Sequence, residues 1–227
     1  MNGLRAFLRD NSLSLFFGGL FLGALVVQAV AGQDAFNEEQ RQHHSEEIGF
    51  WRYVTSAQFG AAVLENWQSE YLQFTLFTLA TVWLIQRGSP ESKRPEKVGT
   101  ESEEEQRIGE HAHEDSPIWA RVGGVRTFLY SNSLLIVMGL IWLGSWVAQA
   151  VSGWTEHTDE RLEHQRDSMS FADYLGSSDF WERTMQNWQS EFLAVGSMAI
   201  LAVYLRQRGS PESKPVGAPH DATEVSG

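Results

Sequence analysis

The feature that most constrains this chain is that it writes itself twice. Asn66-Trp67-Gln68-Ser69-Glu70 returns unchanged as Asn187-Trp188-Gln189-Ser190-Glu191, 121 positions later. At that offset residues 4–93 align with 125–214 without a gap, and about 36 of the 90 positions are identical. A second block, Gln86 to Lys93 (QRGSPESK), recurs as Gln207 to Lys214. Self-similarity at a fixed offset marks two copies of one structural unit. The organisation expected is a first two-helix repeat over 1–93, a charged disordered linker over 94–120, a second repeat over 121–214 and a flexible tail over 215–227.

Each copy opens on an uncharged apolar run. Ser12 to Ala31 has 20 residues, about 30 Å of helix and enough to cross a bilayer. Taken alone it resembles a secretory signal, with a basic flank at Arg5 and Arg9 and a small-residue end at Ala29-Val30-Ala31. Its counterpart, Ser133 to Val151, lies deep inside the chain, so both are read as retained helices. A second apolar run, Tyr71 to Ile85, holds 15 residues and rises only about 22 Å. To span, its helix must draw the repeated pentapeptide into the outer margin of the bilayer. That helix is expected to reach about Gln86, and its counterpart about Arg206, with Ser56 and Ser177 as N-caps. The fold predicted is all-α: four transmembrane helices as two tandem hairpins, with short amphipathic helices in the outer loops.

Counting Lys and Arg places about 12 of the 17 on the side of the termini and linker, which predicts that side to be cytoplasmic. The two halves then become parallel repeats about an axis along the membrane normal. Cysteine is absent, so disulfides and thiolate chemistry are excluded. A net charge of −12 argues against a nucleic-acid partner. Several of the nine tryptophans sit at the ends of apolar runs, as an interfacial belt would place them.

Depth counting brings Gln28, about 24 Å along its helix, level with Glu70, about 22 Å from its own inner end; Gln149 and Glu191 repeat the arrangement. Asn66 and Glu70 are four apart and share a face. The expectation is an intramembrane polar cluster of Gln28, Asn66, Trp67, Glu70, Gln149, Asn187, Trp188 and Glu191, with the two tryptophans at headgroup level. Without a cation nearby, burial raises a carboxyl pKa, so at least one of Glu70 and Glu191 is expected protonated at neutral pH. Such carboxylates often mark proton or cation handling; the competing reading is polar side chains joining helices by hydrogen bonds. Gly18, Gly19 and Gly23, with Gly139 and Gly144, are candidate helix-packing positions, and Thr75, Thr78 and Thr81 match Gly196, Ala199 and Ala202 as a small-residue face.

In the outer loops Glu39 and His43 are four apart, as are Glu160 and His164, at equivalent repeat positions. Two Glu and two His brought together could hold a divalent metal ion. No histidine lies in an apolar run to serve a haem, and no nucleophile–base arrangement, phosphate loop or dinucleotide fingerprint is present. The reading is therefore a non-enzymatic membrane protein without a cofactor. It would act as a structural or accessory subunit meeting membrane lipid and a membrane-protein partner or further copies of itself. The alternatives are a small proton- or cation-coupled transporter using Glu70 and Glu191, and a metal-binding outer face.

Three motifs together, Arg9 to Leu15 (RDNSLSL), the pentapeptide at 66–70, and Arg206 to Pro215 (RQRGSPESKP), resemble a family of bacterial integral membrane proteins described as a domain of unknown function. The resemblance covers nearly the whole chain apart from the linker and implies a bacterial inner-membrane location. It implies no activity and no catalytic residues.

Overall fold

The computed structural model describes residues 3–226. Among these the chain is helical and without strands: α1 Gly3–Asp10, α2 Ser12–Gln42, α3 Phe50–Val54, α4 Ala57–Ala80, α5 Ile118–Arg121, α6 Gly124–Ser131, α7 Ser133–Glu163, α8 Phe171–Leu175 and α9 Ser178–Tyr204, with short 3₁₀ turns at Pro95–Lys97 and Gly109–His111. Two helices are long and apolar enough to cross a membrane, Ser12–Gln42 and Ser133–Leu162. This corrects the expectation of four. At 24 and 27 residues, α4 and α9 have the length, roughly 36 and 40 Å. Toward their N-termini, however, they carry Glu65, Asn66, Gln68, Ser69 and Glu70, or Asp179, Glu182, Arg183, Asn187 and Glu191, and the apolar remainder of each is too short to span unaided.

α4 also stops at Ala80 rather than near Gln86, and α9 at Tyr204. After Ala80 the chain enters β-branched residues, and Thr81 turns its hydroxyl onto the Phe77 and Thr78 carbonyls at 2.9 and 3.2 Å. Thr75 makes the same kind of bond to Tyr71 O at 2.6 Å within α4 without ending it; past Ala80 the backbone tightens to three-residue bonds, Val82 N to Leu79 O at 3.3 Å and Trp83 N to Ala80 O at 3.1 Å, as at a helix end.

The chain folds as two compact units. The first runs to Val63 and takes in Ser152–Ser168. Within it α2 and α7 end alike. His44 and Gln165, at equivalent positions, adopt φ of 57° and 54°, and the next amides reach back as Ser45 N to Gln40 O and Arg166 N to Arg161 O, both 2.8 Å. This left-handed cap satisfies orphan helix-end carbonyls. The following loop is tied down by Asn37, whose Nδ2 donates to Ile48 O at 3.0 Å while its Oδ1 accepts from Ile48 N at 2.9 Å. Tyr53 is buried against Phe36 and Phe59, with ring centroids 5.9 and 5.5 Å away. A side chain at Gly32 would collide with its hydroxyl, which requires glycine there.

The second unit comprises Leu64–Val151 and the chain from Met169 onward. Its Tyr174, at the position equivalent to Tyr53, is fully buried and packs on Phe180 at 5.7 Å. The helix starts match as well. Ser56 Oγ accepts from Phe59 N and Ser177 Oγ from Phe180 N, both at 3.2 Å, as the N-cap assignment predicts. Along α4 the buried residues are Gln68, Ser69, Leu72 and Thr75, one face at helical spacing.

Candidate functional site

The repeated pentapeptides come together in the second unit. Trp188 Nε1 donates to Gln68 Oε1 at 2.8 Å, and Asn187 Nδ2 donates to Glu65 Oε1 at 3.0 Å and to its own-helix Arg183 O at 2.9 Å. Glu191 lies within hydrogen-bonding reach of Ser69 and within electrostatic reach of Glu70. Trp188 packs on Trp146, centroids 5.7 Å apart, and Trp146 in turn meets Trp142, Phe180 and Trp181 at 6.1–6.4 Å. These rings line one side of the junction, whose bonds are half-buried.

The sequence-derived cluster is therefore joined in part, and on a different face from the one expected. Asn187, Trp188 and Glu191 face α4. On α4, however, the covered residues are Gln68 and Ser69, at 0% and 1% exposure, while Asn66, Trp67 and Glu70 are exposed. Gln28 lies in the first unit and is half-buried. Gln149 is buried, and neither its Oε1 nor the Thr184 hydroxyl finds a hydrogen-bond partner among the described residues. The expected cluster omits Glu65, Gln68 and Ser69, which lie on the other side of α4 from Asn66 and Glu70. Their spacing with Leu72 and Thr75 was the signal available. Of the candidate packing glycines, Gly139 stands 3.9 Å (measured from an added Cβ) from the Thr75 methyl; Gly18, Gly19, Gly23 and Gly144 have no described atom within 4 Å of that point.

In the first unit the loop histidines meet. His43 and His164 stack edge to face with centroids 6.4 Å apart, and His164 Nδ1 lies 2.8 Å from Glu160 O. Glu39 and Glu160 line a neighbouring cavity of about 180 Å³ with Glu156 and Asp159. Among the described residues no three metal-ligating side chains converge. The juxtaposition of the two copies' histidines follows the expectation; the four-ligand cluster is not assembled around them. Nearby, burial first and the charge of Glu156 second hold the Tyr53 phenol above its ordinary pKa.

The octapeptide repeats build the same loop twice in the second unit. Gln86 N donates to Ser92 Oγ at 2.8 Å and Gln207 N to Ser213 Oγ at 2.9 Å. Gly88 and Gly209 supply φ of +89° and +84°. Each loop closes on its lysine. Lys93 Nζ donates to Gly99 O at 2.7 Å and pairs with Glu101; Lys214, 1% exposed, donates to the carbonyls of Pro219, His220 and Ala222 at 3.1, 2.8 and 3.3 Å. The 215–224 segment then bonds to the first loop, Gly88 N to Thr223 Oγ1 at 2.8 Å and Glu224 to Lys97 at 3.0 Å. Glu91 and Glu212, equivalent residues, share a hydrogen bond between their carboxyls. That bond, then burial, then the charge of Glu212 raise the Glu91 pKa to about 7. Glu91 borders a cleft of about 340 Å³ with Gln73, Phe74, Phe77, Ala194, Val195 and Met198.

Fold and site together define an all-helical protein with two helices fit to cross a membrane and a polar helix–helix junction built from repeated segments. The chain belongs to the family described as Domain of unknown function (DUF6766), which matches residues 4–225. No curated protein and no solved structure matches it.

Proposed function

We propose that this protein is a non-enzymatic, multi-pass membrane protein of the bacterial inner membrane, with cytoplasmic termini, that serves as a structural or accessory subunit. The observation that carries the reading is the junction between the two pentapeptides, where Gln68 and Ser69 are fully buried, Gln68 bonded to Trp188 and Ser69 within hydrogen-bonding reach of Glu191. Its polar groups are spent on one another, as in helix cross-linking. α2 and α7 supply two unaided crossings; in this reading α4 and α9, whose apolar later parts fall short of a full span, return with their pentapeptides held at the outer margin by the junction. The excess of Lys and Arg on the linker and tail side supports the orientation. Lipid and a membrane protein partner, or further copies of the chain, are the expected contacts.

A second reading, proton- or cation-coupled transport, is favoured by one observation: Glu70 and Glu191 act on each other electrostatically, without a basic side chain in the apolar runs. Replacing both with Gln separates the two. A structural subunit keeps its assembly in mild detergent, because Gln preserves shape and hydrogen bonding; a transporter loses pH-driven flux in reconstituted vesicles. A divalent ion at Glu39, His43, Glu160 and His164 is a third reading, supported by the paired histidines. Metal analysis of purified protein with and without His43→Ala and His164→Ala tests it.

A further inference from the structure

The pentapeptide carries two contact faces, and the junction uses a different one in each copy. At about 100° per residue, Glu65, Gln68, Ser69 and Leu72 lie on one side of α4, and Asn66, Trp67 and Glu70 on roughly the opposite side. The junction joins the first face of α4 to the second face of α9, through Asn187, Trp188 and Glu191. A pair of equivalent helices meeting symmetrically would use the same face on both; this contact is heterologous. Because the two faces point apart, one neighbouring helix cannot cover both.

Each copy therefore retains the half of the junction that the other has used. On α9 the first face is outward: Gln186, Gln189 and Ser190 are exposed, and Leu193 is 71% exposed. It repeats the receiving chemistry of α4, with Gln189 for Gln68, Ser190 for Ser69, Leu193 for Leu72, and the Gln186 amide oxygen in place of the Glu65 carboxylate. On α4 the second face keeps Asn66, Trp67 and Glu70 exposed, identical to the residues that α9 inserts. Asn66 and Trp67 make other interactions within the chain. So do their counterparts, since Asn187 bonds Arg183 O and Trp188 packs on Trp146 while both also bond α4.

We propose that the protein assembles head to tail with copies of itself, the Gln186–Gln189–Ser190–Leu193 face of one molecule receiving Asn66, Trp67 and Glu70 of the next. Trp67 Nε1 donates to the neighbour's Gln189 and Asn66 Nδ2 to the neighbour's Gln186, reproducing the internal bonds. Left against acyl chains, the glutamine amides of this face would be unsatisfied at considerable cost; a second copy is the partner whose fit is already present within the chain. Such a contact makes a ring if its rotation closes and an open array if it does not. The inference rests on the membrane-subunit reading and names the partner that reading leaves open.

The chain has no cysteine, so single cysteines can be placed cleanly. Asn66→Cys and Gln186→Cys are introduced into two differently tagged chains, co-expressed, and treated in membranes with a short bifunctional maleimide. The mixed pair is expected to cross-link several-fold more than either same-site pair, and Trp67→Phe, which removes the indole N–H together with part of the ring, is expected to cut that yield several-fold. Glu65→Cys with Asn187→Cys in one chain reports the internal contact on which the argument is built. The proposal falls if same-site pairs link as well as the mixed pair, if the internal pair links and the mixed pair does not, or if the internal pair itself stays unlinked. Protein that washes out of the membrane fraction in carbonate would sink the membrane reading instead, which keeps the two failures apart.

Discussion

The two verbatim repeats of this chain fare differently. The octapeptide builds the same loop in both copies: the equivalent serine closes it, the equivalent glycine turns left-handed, and the equivalent lysine donates to backbone carbonyls, one at Lys93 and three at Lys214. The pentapeptide is used once from each side, so that Gln68 and Ser69 are buried while Gln189 and Ser190 are exposed. A loop closed by its own residues carries its environment with it, and repetition reproduces it. A helix face is completed by a neighbour, and two copies in one chain cannot both be the inner one.

The largest expected effect is at the lysines. Lys214→Met leaves three carbonyls without their buried donor and should cost about 3 kcal/mol. Lys93→Met, at a half-buried site with one carbonyl and an ion pair, should cost about 1 kcal/mol. Thermal unfolding in detergent, with limited proteolysis of residues 215–224, measures both; equal losses would mean that the two loops bear equal loads.

Next comes the pentapeptide. Gln68→Leu strands the Trp188 indole N–H and should destabilise the fold by about 1–2 kcal/mol. Gln189→Leu, on the exposed face, should leave the thermal transition of the isolated chain unmoved while lowering cross-linking between chains. A comparable drop in unfolding temperature for both would erase the distinction between the inner and outer copies.

The smallest effect is on pH. The Glu91 pKa is raised to about 7 in the folded chain, chiefly by its hydrogen bond with Glu212. A carboxyl raised above its unfolded value contributes stability that is complete below the unfolded pKa and is lost as pH rises through about 7. Stability should therefore decline modestly from pH 5 to 8, and Glu91→Gln, which keeps a donor to Glu212, should flatten the decline. A wild-type profile already flat across that range would remove the shared proton.

Several elements were legible in the residues because their causes are local. Ser56 and Ser177 cap helices as their position before an apolar-periodic segment implies. The starts of α2 and α7 follow from their apolar runs, but both helices continue past those runs through the acidic stretches expected as loops, to Gln42 and Glu163. The choice of face in the pentapeptide was not legible. Four-residue spacing shows that Asn66 and Glu70 point together, yet says nothing of which side a neighbour covers. Gln68 and Ser69 are polar residues at packed positions, and the donor to Gln68, Trp188, sits 120 residues away in sequence. The end of α4 at Ala80 was hidden for a different reason. Residues 81–85 are apolar enough to continue a membrane helix, and the change to three-residue backbone bonds after Ala80 leaves no mark in their composition.

The bond from Gly88 to Thr223 has a consequence for biosynthesis. The first octapeptide leaves the ribosome long before the threonine that satisfies its glycine amide, and some 135 residues must follow before the partner exists. During that interval the middle of the chain holds its loop on Lys93 and the 94–101 segment alone. Closure of this clasp thus becomes a late event, timed by translation, and a nascent chain released early would carry it open at its centre.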